Sequence, residues 1–262
     1  MAFRLGDLIV DRIVEGVAEN SAGELLYRLT NLQEATIDIT ADSTDVVDGT
    51  GAVIKTFYRG KTGTLTATNS TLNLPIIAAM GGTDAEIATA ENAIKMPRII
   101  TVEAGKTATL TGYSGDGSDI AVNEVAVNGS MGAKFEVGSA ASATAFAIDG
   151  TTFTPPTAEG VTAYIVKYDR SVTDGAYIAN RSDAFPKTVK LTLKVLIVDP
   201  CETDVVRAAY IVAPNFQPAA DLSFTVSTEG TIDYTGNLQI SYCGTHKILY
   251  EIYVAADDEE ED

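Results

Sequence analysis

The residues from Ala35 to Ala79 constrain the fold most, because they join two alternating runs through a turn. Thr36–Ala41 and Ala52–Tyr58 are rich in β-branched residues, and the alternation of apolar and polar side chains is typical of half-buried strands. Between them, Asp48-Gly49-Thr50-Gly51 supplies residues that tolerate positive φ. The stretch therefore predicts a hairpin with a long tip that carries carboxylates.

The same stretch is predicted to continue into a third strand and a helix. A second turn is expected at Arg59–Gly63, followed by a strand over Thr64–Asn69, so that the three strands form a meander. From Leu72 to Met80 the apolar spacing changes to that of one helix face, and Gly81-Gly82 would end the helix.

Two further segments have helical features. In residues 1–34 the apolar positions suit one face of a helix, but Gly6, Gly16 and Gly23 weaken it, so a helix and a docking arm both stay open. Asp84–Lys95 is rich in good helix formers and is bounded by Pro97, which predicts a second helix.

The remaining chain reads as short strands and turns. Val189–Val198 shows the cleanest alternation, which predicts a core strand with one buried and one polar face. Six strand candidates lie between Ile99 and Tyr168: Ile99–Glu103, Thr107–Gly112, Glu124–Val127, Lys134–Val137, Ala145–Ile148 and Ala163–Tyr168. Four more follow the core strand: Ala208–Val212, Leu222–Ser227, Leu238–Tyr242 and Lys247–Val254.

These patterns predict a mainly β protein with antiparallel sheets. The regular spacing of strands and turns between residues 99 and 170 is typical of a small β-sandwich-like subdomain. Because strands lie on both sides of it, we expect an insertion into a discontinuous parent domain made of residues 1–98 and 171–262. With 45% hydrophobic residues among 262, the chain is long and apolar enough to bury a core without staples.

The charge of the chain limits its partners. With 36 acidic against 18 basic residues, the formal net charge is −18, which excludes a generic nucleic-acid binder. The acidity fits either solubility alone or a surface that nucleic acid passes without sticking. The terminal run Asp257–Asp262 is expected to be a solvated, disordered tail.

The amino terminus and the cysteines indicate a cytoplasmic site of synthesis. The first residues carry early acidic side chains without an uninterrupted apolar core, so no secretory signal is predicted, and no segment is apolar enough to span a membrane. In a reducing cytoplasm Cys201 and Cys243 are expected to be free thiols, although their separation in sequence leaves their distance in space open.

No motif for catalysis or for cofactor binding stands out. Gly60-Lys61-Thr62 and Gly105-Lys106-Thr107 end like phosphate-binding loops but lack the preceding glycine, and both are expected in turns between strands. Cys201, Cys243 and His246 are too few for the usual four zinc ligands, and Asp116 and Asp119 lack the spacing of a calcium loop. We therefore predict a protein that is not an enzyme and that binds no metal or cofactor.

Three parts of the chain, residues 39–78, 175–201 and 208–254, resemble the major tail tube proteins of tailed bacteriophages in overall texture. They include ITADSTDVVDGTGAVIKTFYRGKTGTL, GAYIANRSDAFPKTVKLTLKVLIVDPC and LQISYCGTHKILYEIYV. The resemblance implies a β-sandwich or barrel-like domain with a flanking helix that assembles into hexameric rings. Rings of that family stack through a long hairpin loop and terminal arms, and DNA runs through the lumen. Residues 99–170 would resemble an outward-facing immunoglobulin-like insertion.

The resemblance implies roles for two groups of residues. The hairpin tip, expected to be poorly ordered in a monomer, would contact the next ring through Thr44, Asp45, Val46, Val47, Asp48, Gly49, Thr50 and Gly51. If Ile37 and Ile39 are buried, alternation turns Thr36, Asp38 and Thr40 to the opposite face, which would line the lumen or form an ordinary solvated surface.

The expected partners are copies of the chain itself, other phage tail proteins and passing DNA, in the tail of a virion made in the bacterial cytoplasm. Three other classes stay open: another phage structural protein of the head or baseplate, a bacterial adhesin or carbohydrate-binding β-module, and a hydrolase. An adhesin would normally carry an export signal and aromatic binding platforms, whereas this chain has no such signal and no Trp.

Overall fold

The computed structural model describes residues 7–30, 32–71, 73–126, 128–223, 225, 231–240 and 247–259, with backbone alone for residues 202–204 and 256–259. The chain divides into two compact units, one formed by Met1–Ala85 with Ile178–Asp262 and the other by Glu86–Tyr177. Both are built from mainly antiparallel sheets, which confirms the predicted mainly β fold class. No helix in the described part of the chain is long and apolar enough to cross a membrane.

The elements of the described chain, in order, are β1 Ile9–Glu19, β2 Leu25–Thr30, β3 Leu32–Val47, β4 Val53–Asn69, α1 Leu74–Met80, β5 Glu86–Ile87, β6 Ile94–Glu103, β7 Ala108–Thr109, β8 Ala121–Val125, β9 Met131–Val137, β10 Ala145–Asp149, β11 Thr152–Thr154, β12 Ala163–Val172, β13 Ala176–Tyr177, β14 Val189–Asp199, β15 Glu202–Pro218, β16 Ile232–Leu238 and β17 Glu251–Glu259.

The first unit is one curled, nearly closed sheet in the strand order β2-β1-β14-β15-β16-β4-β3, with β17 also paired to β15. β14 has the predicted alternation, since its inward residues Val189, Leu191, Leu193, Val195 and Ile197 are at most 5% exposed. Leu196 on the opposite face is also buried. The core of this unit joins side chains from β14 with those of β1, β2, β3, β4, β15, β16 and α1.

Two tyrosines join strands that are not neighbours in the sheet. The hydroxyls of Tyr27 on β2 and Tyr234 on β16 lie 2.5 Å apart, and their rings pack edge to face. Burial raises the pKa of Tyr27 to about 12 and that of Tyr234 well above its ordinary value. Both hydroxyls are therefore neutral at physiological pH, and one donates a hydrogen bond to the other inside the curled sheet.

Tyr27→Phe is expected to lower the free energy of unfolding by about 1–3 kcal/mol, because it leaves the buried Tyr234 hydroxyl without a partner. The double change Tyr27→Phe with Tyr234→Phe is expected to recover most of that loss, since no polar group is then stranded. Urea unfolding of the three proteins measures the coupling. A double variant that loses the sum of two single losses would show that the hydroxyls act independently.

The single helix of the described residues confirms the predicted flanking helix. The Asn73 side chain caps α1 by accepting a hydrogen bond from the Ile76 amide at 3.2 Å, and Ile76, Ala78 and Met80 are buried on the core side. Gly82 follows with a φ of +65°, and a Cβ there would come within 2.3 Å of the Phe185 backbone. Only glycine fits this position. Leu72, the predicted start of the helix, is outside the described residues.

The amino-terminal segment forms strands rather than a helix. β1 pairs with β14 along its length, and β2 turns back onto β1. Gly16, which weakened the helical interpretation, lies where a Cβ would come within 2.8 Å of Leu193 and 2.9 Å of Leu29. Its place in the strand is explained by this close packing rather than by chain flexibility.

The predicted second turn at Arg59–Gly63 is wrong, because β4 continues through it and the hairpin has two strands instead of a meander's three. Gly63 faces the core, where a Cβ would come within 2.7 Å of Ile39 and 2.9 Å of Leu238. The register shift opposite Ala41 and Ser43 places a bulge at Arg59-Gly60. Gly60 and Gly63 both lie within the continuous strand β4, so Gly60-Lys61-Thr62 is not a turn.

The helix predicted over Asp84–Lys95 is also wrong. The segment contains the short strand β5 and the start of β6, separated by a turn in which Thr89 and Asn92 bond each other. β6 pairs with β12 from Ile94 to Glu103. These long-range pairs outweigh the local helix preference of alanine and glutamate.

The second unit is a seven-stranded sheet in the order β6-β12-β8-β9-β10-β11-β7, together with the small pair β13-β5. Its pairs are antiparallel except for β9 and β10. All six predicted strands overlap observed ones, although Thr107–Gly112 shrinks to β7, and Val127 is outside the described residues. The aromatic side chains Tyr113, Phe135, Phe146, Phe153, Tyr164 and Tyr168 dominate its core.

Of the strands predicted near the carboxyl terminus, two overlap observed strands and two lie partly outside the described residues. Ala208–Val212 is part of the longer β15, and Lys247–Val254 overlaps β17. Most of Leu222–Ser227, with Phe224 and Val226, and the end of Leu238–Tyr242 are outside the described residues. The acidic run Asp257–Asp262 is not wholly a tail. Asp257–Glu259 extend β17, and Glu259 lies opposite Arg207 of β15 in the backbone pairing of the two strands.

Candidate assembly surface on the long hairpin

The hairpin of β3 and β4 extends beyond the rest of its sheet. β16 pairs with β4 only between Gly63 and Asn69, whereas β3 and β4 stay paired with each other out to Val47 and Val53. Residues 41–61, called here the arm, therefore form a two-stranded ribbon. Within the described chain neither strand of the arm has another hydrogen-bonded neighbour.

The outer part of the arm exposes large apolar side chains on both strands. Val46, Val47, Val53, Ile54, Phe57 and Tyr58 are between 45% and 74% exposed. Lys55 covers one face of the Phe57 ring, with its Nζ 5.2 Å from the ring centre. An isolated two-stranded ribbon is only marginally stable in water, and a cluster of exposed apolar side chains marks a surface for association.

The tip of the arm is a turn closed by its own hydrogen bonds. One oxygen of Asp48 accepts from the Thr50 amide at 2.8 Å, the Thr50 hydroxyl at 2.6 Å and the Ala52 amide at 2.9 Å. Gly51 has a φ of +86°, which favours glycine there. The Thr50 hydroxyl, followed by the Ala52 and Thr50 amides, lowers the pKa of Asp48.

The sign of the Asp48 shift predicts how the turn responds to pH. The bonds stabilise the charged carboxylate, so their contribution is present above the ordinary pKa of an aspartate and is lost as the pH falls through the lowered value. The turn is therefore fully held at neutral pH.

The structure places the eight predicted tip residues at the end of the arm. Thr44–Val47 are the last residues of β3, and Asp48–Gly51 belong to the turn. Asp45 accepts a hydrogen bond from the Thr56 hydroxyl at 2.6 Å across the ribbon. The apolar residues contributed by β4, from Val53 to Tyr58, were not recognised from the sequence as part of this surface. Their alternation predicted a half-buried strand, and nothing local shows that the neighbouring strand stops at Gly63.

The three candidate lumen residues lie together on the outward face at the base of the hairpin. Thr36, Asp38 and Thr40 are exposed, and their partners on β4 are Thr66, Thr64 and Thr62. The hydroxyls of Thr40 and Thr62 are 2.9 Å apart. β16 extends this face with Asp233, Thr235 and Asn237, and the Thr68 hydroxyl donates to Asp233 at 3.2 Å. The face is made of hydroxyls, amides and carboxylates. The threonines at every second position of β4 could have predicted this polar face from the sequence.

The residues weighed for metal binding or catalysis do not form a site in the described chain. Cys201 is exposed and free, whereas Cys243 and His246 are outside the described residues. Asp116 accepts from the amide and hydroxyl of Ser118, and the Tyr113 hydroxyl donates to Asp119, as in a plain turn. The described residues contain no group of three or more His, Cys, Asp or Glu side chains suited to a metal ion.

Comparison with protein families identifies the class of this chain. The model of the YomU/Tube protein family matches residues 8–242, which include the hairpin and most of both units. The chain therefore belongs to the YomU/Tube family. This membership confirms the resemblance to phage tail tube proteins and agrees with a structural role. No curated protein sequence matches the chain.

Proposed function

We propose that this protein self-assembles into stacked hexameric rings that form the tube of a phage tail and conduct DNA. The observation that carries the proposal is the arm, a ribbon whose two strand edges have no partner among the described residues and which carries a cluster of exposed apolar residues. In a ring each edge can find a partner, so that no strand edge is left exposed. The family membership supports the same role.

Within this tube the tip residues Thr44–Gly51 contact the next ring, with Val53, Ile54, Phe57 and Tyr58 adding apolar area to the same contact. The second unit, Glu86–Tyr177, is an inserted immunoglobulin-like subdomain that faces outward from the tube. The partners are copies of the same chain and other tail proteins, and the location is the virion tail. The chain acts through assembly and not through catalysis.

Negative-stain microscopy of the purified chain at increasing concentration tests this proposal. We expect rings with six-fold symmetry that stack into tubes as the concentration rises. A chain that stays monomeric at all concentrations, as shown in parallel by sedimentation, would contradict the proposal and favour a binding module. Closed shells or flat plates would instead favour a head or baseplate component.

The polar face at the base of the hairpin lines the lumen in this proposal. A wall of hydroxyls and carboxylates does not trap phosphates, whereas a basic wall would bind them by releasing counterions. Replacing Asp38 and Thr40 with lysine is therefore expected to leave tubes intact but to slow DNA ejection. The delay should be largest at low salt, where the Debye length exceeds about 10 Å.

The ejection experiment needs a control with the same charge change on another surface. Glu159→Lys with Thr157→Lys, on exposed residues in the second unit, supplies one and is expected to leave ejection unchanged. DNA release is timed in particles shown to contain the variant tube. Equal kinetics for both variants at every salt concentration would place Asp38 and Thr40 outside the lumen.

A further inference from the structure

The charges of the long hairpin are segregated by strand. β3 carries the acidic residues Glu34, Asp38, Asp42 and Asp45 and has no basic residue. β4 carries Lys55, Arg59 and Lys61 and has no acidic residue. All of these side chains are exposed. In the arm, one edge is therefore acidic and the other is basic, although the chain as a whole has a net charge of −18.

The opposite charges do not neutralise each other inside the hairpin. Each charged residue that has a direct partner across the hairpin faces an uncharged one. The pairs are Glu34–Thr68, Asp38–Thr64, Ala41–Lys61, Asp45–Thr56 and Val46–Lys55. None of the ion pairs among the described residues joins β3 to β4. Lys55 contacts the Phe57 ring instead of a carboxylate. These charges are thus available to a molecule beside the hairpin.

The separation of acidic and basic residues onto different strands favours one of two kinds of contact between copies, the two-fold or the head-to-tail contact. A two-fold contact would set β3 against β3 or β4 against β4 and would bring like charges together. A head-to-tail contact sets the acidic edge of one copy against the basic edge of the next. A head-to-tail contact either closes into a ring or continues as a filament. The two-fold contact is disfavoured, because like charges directly opposite each other on neighbouring strands are destabilising.

We infer that the hairpins of neighbouring copies associate side by side and head to tail, with the acidic β3 of one copy against the basic β4 of the next. The inference rests on the proposed function, because it assigns the lateral contact within a ring. Within the arm the acidic stretch runs from Asp42 to Asp45, and the basic stretch runs from Lys55 to Lys61. At roughly 3.3 Å per residue these stretches are about 10 Å and about 20 Å long, so one antiparallel alignment brings the acidic residues of one copy alongside the basic residues of the next.

Charge reversal on one strand at a time tests the inference. Asp42→Lys with Asp45→Lys makes both edges of the arm basic. Arg59→Glu with Lys61→Glu gives both edges a net negative charge, with Lys55 kept in place. Each variant alone is expected to require at least about tenfold more protein to assemble, because every lateral contact then joins like charges. An equimolar mixture of the two is expected to assemble like the unchanged chain, since copies can alternate.

A variant that carries all four reversals restores the balance of charge within one arm. It is expected to assemble by itself but not to co-assemble with the unchanged chain, which can be followed by mixing two fluorescently labelled preparations. This variant also controls for damage to the hairpin, because its arm again has one acidic and one basic strand. Circular dichroism and thermal unfolding confirm that all variants fold.

The outcomes separate this inference from the proposed function. If the unchanged chain forms tubes and the single-strand variants assemble equally well, or if their mixture fails to assemble, the charge pairing is overturned while the tube stands. Free mixing of the four-reversal variant with the unchanged chain would also overturn it, as would a folded four-reversal variant that does not assemble. If the unchanged chain itself forms neither rings nor tubes, the proposed function fails first.

Discussion

Leu193→Asp is expected to yield unfolded or insoluble protein. Leu193 is 1% exposed at the centre of the curled sheet, and β14 pairs with both β1 and β15 at this position. The change removes a buried leucine and places a carboxylate among apolar side chains, at a cost of at least about 4 kcal/mol. Since a domain's total stability is about 5–15 kcal/mol, the first unit should not persist. The soluble fraction after expression and thermal unfolding measure the effect.

The matched control lies one residue along the same strand. Lys194 points to the other face, opposite Glu15 and Tyr210. Lys194→Asp sets two carboxylates side by side at the surface, which should cost about 1 kcal/mol or less and leave a folded protein. A soluble Leu193→Asp protein beside an insoluble Lys194→Asp protein would mean that the two faces of β14 have been exchanged.

Deleting Val46–Thr50 is expected to abolish tube formation without unfolding the chain. The deletion removes the closed turn and two exposed apolar residues, but it leaves the pairs between β3 and β4 from Asp45 and Thr56 down to the body of the sheet. None of the removed residues belongs to the core. Thermal unfolding should therefore be close to that of the full chain, while microscopy should show no stacked rings.

Substitutions separate loss of the contact from loss of length. Val47→Asp with Ile54→Asp keeps the arm but makes its apolar end charged, and it is expected to block stacking as the deletion does. Ile99→Asp, on a residue of the second unit with similar exposure at 63%, is expected to leave tubes normal. If the deletion variant forms normal tubes, the tip does not take part in the inter-ring contact.

The sequence predicted elements whose side chains alternate between a packed and an open face. β14 is the clearest case, because its apolar residues at every second position are buried, Val189, Leu191 and Leu193 in the main core and Val195 and Ile197 in a smaller cluster. The helix α1 was found from its changed apolar spacing and its glycine stop. In both elements the local pattern and the long-range packing favour the same structure.

Glycine and alanine account for the main errors. Gly16 and Gly63 were interpreted as weak points or turns, but each sits inside a strand where a neighbouring side chain occupies the space of the missing Cβ. The alanines of residues 84–95 favour a helix locally, yet pairing of β6 with β12 decides the outcome. Neither effect is encoded within a window of a few residues.

The candidate assembly surface was predicted only in part for a similar reason. The turn residues Asp48–Gly51 identify a hairpin tip from sequence alone, and the structure has a turn there. The strands on either side of the tip extend beyond the sheet because β16 ends its pairing with β4 at Gly63. β16 is far from the hairpin in the sequence, so this limit cannot be predicted locally. The exposure of Ile54, Phe57 and Tyr58 follows from that distant limit.

The proposed tube can be examined by an electron cryomicroscopy reconstruction of the assembled protein. We expect a hollow tube of stacked six-subunit rings, in which the tip Thr44–Gly51 of each subunit is buried against the next ring and Thr36, Asp38 and Thr40 face the lumen. A protein that yields no tube at any concentration would overturn the proposed function. A tube in which the arms project freely into solvent would overturn the role given to the arm.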